Sequence, residues 1–214
     1  MYKRKPLLII FEGIEGSGKS YQSRKLLKKI KKNKIPAILT REPGGTRSAE
    51  KIRDVILKDY FYPGSKEKFD KYTDTLLYLA ARNEHIKNKI KPSLNKKKIV
   101  ICDRFIDSTF AYQVYGKGVS IKLIQSVHKH ILRNIKPDLT FVLKIKISKA
   151  LKRLEKRKNK NRYDKFSKNF YIRAQNAFIK MAKKNKKKYV ILDNSNDTNE
   201  VEKIIFNKVI KLIK

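Results

Sequence analysis

Cysteine is almost missing from this chain, and with it a class of architectures. The single Cys102 excludes an internal disulfide and fits a reducing compartment. It sits in Ile99-Val100-Ile101-Cys102, where a small buried hydrophobe is expected rather than a nucleophile. No apolar run approaches the ~20 residues that cross a bilayer. The apolar run behind Met1-Tyr2-Lys3-Arg4-Lys5 is too short for a secretory leader. A cytoplasmic protein with no membrane partner is therefore expected. The three histidines, His85, His128 and His130, have no zinc-ligand spacing, so surface or core positions without chemistry are expected for them. No internal repeat or low-complexity segment is present.

Acidic residues are also scarce: 19 against 55 Lys and Arg, a formal net charge of +36. Such a field attracts polyanions. Yet the lysines are spread along nearly the whole chain and are not gathered in one motif with interleaved aromatics. Lys, Asn, Ile and Tyr share AT-rich codons, so nucleotide composition is a sufficient source of the excess. A solvated lysine-rich surface is expected, with no specific nucleic-acid partner; attraction of an anionic nucleotide is a by-product.

What is present is a strong order of elements. Apolar runs at Leu7 to Phe11, Ala37 to Leu39, Ile99 to Cys102, Leu139 to Leu143 and Tyr189 to Leu192 alternate with longer stretches of helical periodicity. That alternation predicts one α/β domain over residues 1–214, with a five-stranded parallel sheet flanked by helices in three layers. Helices are expected from Gly18 to Lys32, after an N-cap at Thr46, over Thr73 to Lys91 up to Pro92, over Ser108 to Tyr115 and Ser120 to Leu132, after a cap at Ser148, over Lys165 to Lys184, and from Thr198. Loops are expected over Asp59 to Lys71 and Lys158 to Asn161.

Between the first strand and the first helix lies Gly13-Ile14-Glu15-Gly16-Ser17-Gly18-Lys19-Ser20, which fits G-x-x-x-x-G-K-[ST]. Glycines let successive N–H groups converge on one anion, and the helix that follows adds the positive end of its dipole. Lys19 can reach the β- and γ-phosphates of a nucleoside triphosphate, and Ser20 can bind Mg²⁺. This is a P-loop NTPase signature, but it leaves kinases, GTPases and motor ATPases open. The GTPase base-reading motif is absent, because Asn207-Lys208-Val209-Ile210 lacks its Asp. The third strand lacks the acidic pair of many nucleic-acid ATPases. Asp103-Arg104 stands at its carboxyl end, the side that borders the ligand crevice in an open α/β sheet.

Three separated motifs then occur in order: Phe11 to Ser20, Thr40-Arg41-Glu42-Pro43-Gly44-Gly45-Thr46, and Asp103-Arg104 followed by Ser108-Thr109-Phe110-Ala111-Tyr112-Gln113. With Ala80-Ala81-Arg82 and Lys136-Pro137-Asp138-Leu139-Thr140 they resemble bacterial thymidylate kinase, from about Leu7 to Asp193. The resemblance implies transfer of the γ-phosphoryl of ATP to dTMP with Mg²⁺, and a homodimer packed through helices. It implies that Gly13 to Ser20 hold ATP, that Ser20 and, through water, Asp103 serve the metal, and that Glu15 lies near the 3′-hydroxyl of dTMP. Tyr78 and Arg82, four residues apart on one helix face, match the pair used for the base; Tyr stands where Phe is commoner. Arg104 matches the arginine on the dTMP phosphate, with Arg41 adding charge. Ser108, Thr109, Tyr112 and Gln113 complete the nucleoside contacts. The alternatives are a (deoxy)nucleotide kinase of other base preference and a P-loop ATPase acting on nucleic acid.

The resemblance also implies a lid over about residues 153–164. Where the phosphate loop has no arginine, as with Ser17 here, the lid supplies one. Arg153, Arg157 and Arg162 are the candidates. The family's Asp-Arg-aromatic-or-Ile-Glu is Asn161-Arg162-Tyr163-Asp164 in this chain, which leaves open which arginine reaches the phosphates.

Overall fold

A computed structural model describes residues 5–57, 68–158, 162–196 and 199–213. Five strands form one parallel sheet: β1 Leu8–Glu12, β2 Ala37–Arg41, β3 Ile99–Asp103, β4 Leu139–Lys144 and β5 Tyr189–Asp193, in the order β2-β3-β1-β4-β5. The crossovers are helical: α1 Lys19–Lys32, α2 Arg47–Leu57, α3 Lys71–His85, α4 Lys91–Asn95, α5 Ile106–Thr109, α6 Ile121–Leu132, α7 Ile147–Glu155 and α8 Lys168–Lys184, with α9 Asn199–Ile213 at the end.

β1 is the central strand and is buried along its whole length. Successive strand side chains point to opposite faces. Ile9 and Phe11 therefore join a core with Leu26 and Ile30 of α1 and Ile205 and Val209 of α9. Leu8 and Ile10 pack the other way, against Ile86 and Ile90. A third cluster lies under α8, around Tyr112, Phe170 and Phe178. Cys102 is fully buried among these apolar groups and its thiol is pushed up by that burial. Long lysine side chains lie exposed in runs such as Lys183, Lys184, Lys186, Lys187 and Lys188.

Several helix boundaries differ from the sequence expectation. Pro92 does not end the helix begun at Lys71. A π turn over Ile86–Ile90, closed by the Lys91 N–H to the Ile86 carbonyl, leads directly into α4, where Pro92 occupies the first turn. Inside this continuous helical path Pro92 has no N–H to bond back, and the wider π turn just before it is the local irregularity that accommodates the lost bond. Ser148 lies inside α7 rather than capping it. The helix entry is set by a tertiary contact instead, the Lys146 N–H donating to Ser195 Oγ at 3.0 Å. Thr46, by contrast, does cap α2, accepting from the Ala49 N–H at 3.2 Å. The loop expected after Asp59 falls largely outside the described residues, as does Lys158 to Asn161 apart from Lys158. α8 starts three residues later than expected, with Ser167 accepting from the Phe170 N–H and a short 3₁₀ turn, Arg162–Lys165, before it.

Candidate active site

The carboxyl ends of β1, β2 and β3 open onto a cavity of about 710 Å³. β1 feeds the phosphate loop, whose turns need left-handed backbone. Gly13 has φ +138° and Gly16 φ +73°; a Cβ at Gly16 would lie 2.8 Å from the Ala150 carbonyl of α7, so the loop is packed directly on that helix. Lys19 is buried, its Nζ donating to the Ile14 carbonyl at 2.7 Å and lying 3.4 Å from Ser17 Oγ. Burial, with Arg104 next, pushes its ammonium down to about 8. Asn194, just past β5, donates to the Ser17 carbonyl at 2.8 Å and braces the loop from the far side. Ser20 Oγ donates to Asp103 Oδ2. That hydroxyl and carboxylate form a hard-oxygen pair at the loop mouth, and hard oxygens suit Mg²⁺, which keeps several of its other positions for water and phosphate.

Arg104 has φ +72°, left-handed backbone that is uncommon for a residue with a side chain. Its N–H donates to the Phe11 carbonyl at 2.9 Å, locking it to β1. The guanidinium then donates to the Gly13 carbonyl at 2.9 Å, Ser108 Oγ at 3.1 Å and Glu15 Oε1 at 2.8 Å. Burial is the largest single effect and disfavours this charge, but Glu15, Tyr112, Asp103 and Glu12 together outweigh it and hold the guanidinium firmly protonated. Ser108 also donates to Glu12 Oε2 at 2.6 Å, and the Phe105 N–H donates to Glu12 Oε1 at 2.8 Å. Burial, then Asp107, pushes the Glu12 carboxyl up to about 8. Arg53 on α2 and Arg41 line the same cavity as Arg104. Arg53 donates to the Pro43 carbonyl at 2.7 Å, and Arg41 pairs with Glu50 at 3.1 Å.

Away from the phosphate loop the cavity wall is Tyr78, Arg82, Thr109, Tyr112, Gln113 and Tyr163. Arg82 is 2% exposed and heavily bonded: Nε to Glu42 Oε2 at 2.8 Å, Nη1 to Thr109 Oγ1 at 2.7 Å, and Nη2 to the Phe105 carbonyl at 2.8 Å. His85 Nδ1 lies 3.1 Å from Glu42 Oε1, and His85 Nε2 lies 2.6 Å from Thr40 Oγ1. Burial raises the Glu42 carboxyl, but Arg82 and His85 outweigh it and hold it below its ordinary value. The Tyr78 and Tyr163 rings meet edge to face at 6.0 Å, and Tyr112 meets Tyr163 at 5.8 Å. Gln113 Nε2 is 3.3 Å from the Tyr163 hydroxyl.

The three lid arginines go to three places. Arg153 on α7 donates to the Gly16 carbonyl at 2.8 Å, on the phosphate loop itself. Arg157 borders the cavity and pairs with Asp164 at 3.0 Å. Arg162 pairs with the buried Asp74 of α3, which also takes Lys117 at 2.6 Å. Asn161 lies outside the described residues.

The profile of the family described as thymidylate kinase matches residues 11–205. The chain belongs to the thymidylate kinase family. It is 36% identical over 209 residues to a thymidylate kinase of Mycoplasma capricolum subsp. capricolum, covering 97% of this chain and 94% of that one. It is 42% identical over 209 residues to that of Wolbachia pipientis wMel, covering 95% of this chain and all of that one, 100%. The crystal structure of thymidylate kinase from Ehrlichia chaffeensis superposes with a TM-score of 0.70 at 33% identity, over 98% of this chain and 99% of that chain. Membership in the thymidylate kinase family makes this chain an enzyme, a transferase of the kinase class on a P-loop α/β fold, in agreement with the sequence motifs.

All three motifs of this thymidylate kinase-family chain meet at one cavity. Glu15, Lys19, Ser20, Arg41, Tyr78, Arg82, Asp103, Arg104, Ser108, Thr109, Tyr112 and Gln113 border it, as do Arg153 and Arg157. Arg162 is directed instead to Asp74. Sequence reading gave no role to Glu12, Arg53, Asp74, Lys117, His85 or His128. Arg53 carried a faint signal, a lone cation on the α2 face that also bears the apolar stripe. Among the described residues no helix is long and apolar enough to cross a membrane, and no three of His, Cys, Asp or Glu cluster in a way that could hold a metal ion.

Proposed function

We propose that this protein transfers the γ-phosphoryl group of ATP to dTMP, giving dTDP and ADP. A 5′-phosphate oxygen of dTMP attacks the γ-phosphorus in line, and the bond from that phosphorus to the β–γ bridging oxygen breaks. No covalent enzyme intermediate is needed; positioning and charge cancellation supply the rate. The observation that carries this reading is the placing of Arg104, one end of its guanidinium on the Gly13 carbonyl of the phosphate loop and the other on Glu15, facing the Tyr78–Tyr112 wall.

In this reading Gly13 through Ser20, including Ile14, Gly16, Ser17 and Gly18, cradle the triphosphate, and Lys19 turns from the Ile14 carbonyl to the β- and γ-oxygens. Ser20, and Asp103 through water, would hold Mg²⁺, which would supply positive charge to neutralise the phosphates. Arg104, with Arg41 and Arg53 beside it, holds the dTMP phosphate; the forked guanidinium suits that geometry. Tyr78 stacks on the base. Tyr112 and Glu15 bound the deoxyribose; the Glu15 carboxylate has lone pairs for a sugar hydroxyl beyond those used by Arg104 and Tyr112. Thr109 and Gln113 face the base edge, while Ser108 serves mainly to fasten Arg104 to Glu12. Arg153 is the lid arginine placed for the transferring phosphate. The setting is cytoplasmic and the protein acts as a homodimer. The exposed apolar side chains Tyr72 and Leu76, on one face of α3, and Ile121, at the start of the neighbouring α6, support the latter.

A panel of nucleoside monophosphates with Mg-ATP tests this. dTMP turnover well above dUMP, dCMP and dAMP is expected. Preferential turnover of dUMP or dAMP would overturn the base assignment, and ATPase activity stimulated by DNA with no monophosphate phosphorylated would overturn the reaction.

A further inference from the structure

Arg82 has five N–H groups and no acceptor. Three of them go to Glu42, Thr109 and Phe105. A fourth, on Nη1, meets His128 Nε2 at 2.8 Å. Since a guanidinium only donates, His128 Nε2 must offer a lone pair, and the imidazole is neutral with its proton on Nδ1. That Nδ1 is buried and has no partner among the described residues. A buried N–H left unpaired is a cost, so stability alone does not explain this ring. The Phe110 ring meets it edge to face at 5.7 Å and fixes its plane. Burial, then Arg82, pushes its ionisation down to about 3, so it stays neutral at every working pH. His130, two residues along α6, is exposed and does none of this.

With four N–H groups committed, the second proton of Nη2 is the one Arg82 has left, and Arg82 borders the cavity. We infer that His128 is a positioning residue of the base subsite: by accepting from Nη1 it fixes the rotation of the Arg82 guanidinium, so that the one remaining N–H is presented to a keto oxygen on the base edge. The device discriminates chemistry. A donor held in place rewards a base with a carbonyl there and leaves an amino group facing another donor. This rests on the reading that the cavity takes dTMP.

The test compares the wild type with His128→Leu, which removes the acceptor, and His128→Gln, whose amide oxygen returns one. For His128→Leu, KM for dTMP rises about tenfold and the preference for dTMP over dCMP falls about tenfold, with KM for ATP within about twofold; His128→Gln recovers most of both. Unchanged KM and preference in His128→Leu would overturn the inference, and so would an equal rise in both KM values that Gln does not rescue. ¹⁵N NMR of the wild type at pH 7 adds an arm that needs no turnover: the Nδ1–H neutral tautomer is expected, and a proton on Nε2 overturns the inference. Absence of dTMP turnover by the wild type would count against the functional reading, while the tautomer would still decide this one.

Discussion

Arg104 Nη2 donates to Glu15 Oε1 at 2.8 Å, and the other Glu15 oxygen accepts from the Tyr112 hydroxyl at 2.5 Å. A strand-end arginine is thus tied, through a residue of the phosphate loop, to the Tyr112 ring on the cavity wall. In the proposed reading, acceptor phosphate and acceptor sugar would meet one connected unit. Removing Arg104 removes charge-assisted bonds to the acceptor of about 1.5–3 kcal/mol each. For Arg104→Ala, kcat/KM for dTMP falls by about 100-fold or more while ATP affinity changes less than about threefold. Steady-state kinetics with each substrate varied, and direct ATP-analogue titration, check this; equal losses would reassign the residue.

Lys19 gives a pH prediction. In the proposed reading its charged form holds phosphate, and in the free protein its ammonium is pushed down to about 8, chiefly by burial. As pH rises through that value Lys19 loses its proton, and the site loses the charge that attracts ATP. kcat/KM for ATP should therefore be level near pH 7 and fall roughly tenfold per unit well above pH 8, since this ratio reports the free enzyme. Bound triphosphate favours the ammonium, so kcat should hold to higher pH. A profile flat to pH 9.5 would count against Lys19 as the phosphate cation.

Glu42 is the counter-ion inside the Arg82 network; it lies in the Thr40–Thr46 motif, but the sequence assigns it no role of its own. Replacing it by Ala leaves Arg82 buried without its carboxylate, at a cost of about 3–5 kcal/mol. Urea unfolding at pH 7 measures that loss. The acid limb carries a sign. The folded-state ionisation lies below the unfolded one, so the pair's contribution is fully present above about pH 4.5. It is lost as pH falls through the folded value. Wild type and Glu42→Gln should therefore differ most near neutrality and converge on acidification.

The parts legible in the sequence are those written in short stretches. The phosphate loop, the strand runs and the apolar stripe at Leu26 and Ile30 rest on spacing alone, which local geometry obeys. Asp103 and Arg104 were legible because a parallel sheet puts strand ends at one crevice. The Arg82 network was not. Glu42 directly follows β2, His85 ends α3 and His128 sits on α6; only the packing of α3 against the end of β2 and against α6 brings them together. The same holds for Glu12 with Ser108, 96 residues apart. The π turn before Pro92 is invisible to a 3.6-residue period, because it changes that period for one turn.

The lid arginines divide by what they touch, and the division is testable. Arg153 reaches the phosphate loop at the Gly16 carbonyl, from a helix that the loop itself contacts through Ala150. Arg162 joins Asp74 and Lys117, beside Tyr163, whose ring packs on Tyr78 and Tyr112 at the nucleoside end. A cation that cancels charge only in the transition state lowers kcat when removed, without weakening substrate binding. One that secures the wall of the nucleoside subsite raises the acceptor's KM. Arg153→Ala should therefore lower kcat by about 100-fold with KM for dTMP within about threefold, in keeping with the size of arginine effects in phosphoryl transfer. Arg162→Ala should raise KM for dTMP severalfold and lower kcat by less. Single-turnover measurements at saturating ATP separate the two. The opposite pattern would move the transferring-phosphate role from α7 to the 3₁₀ turn, and would require the lid to release Asp74 when both substrates are bound.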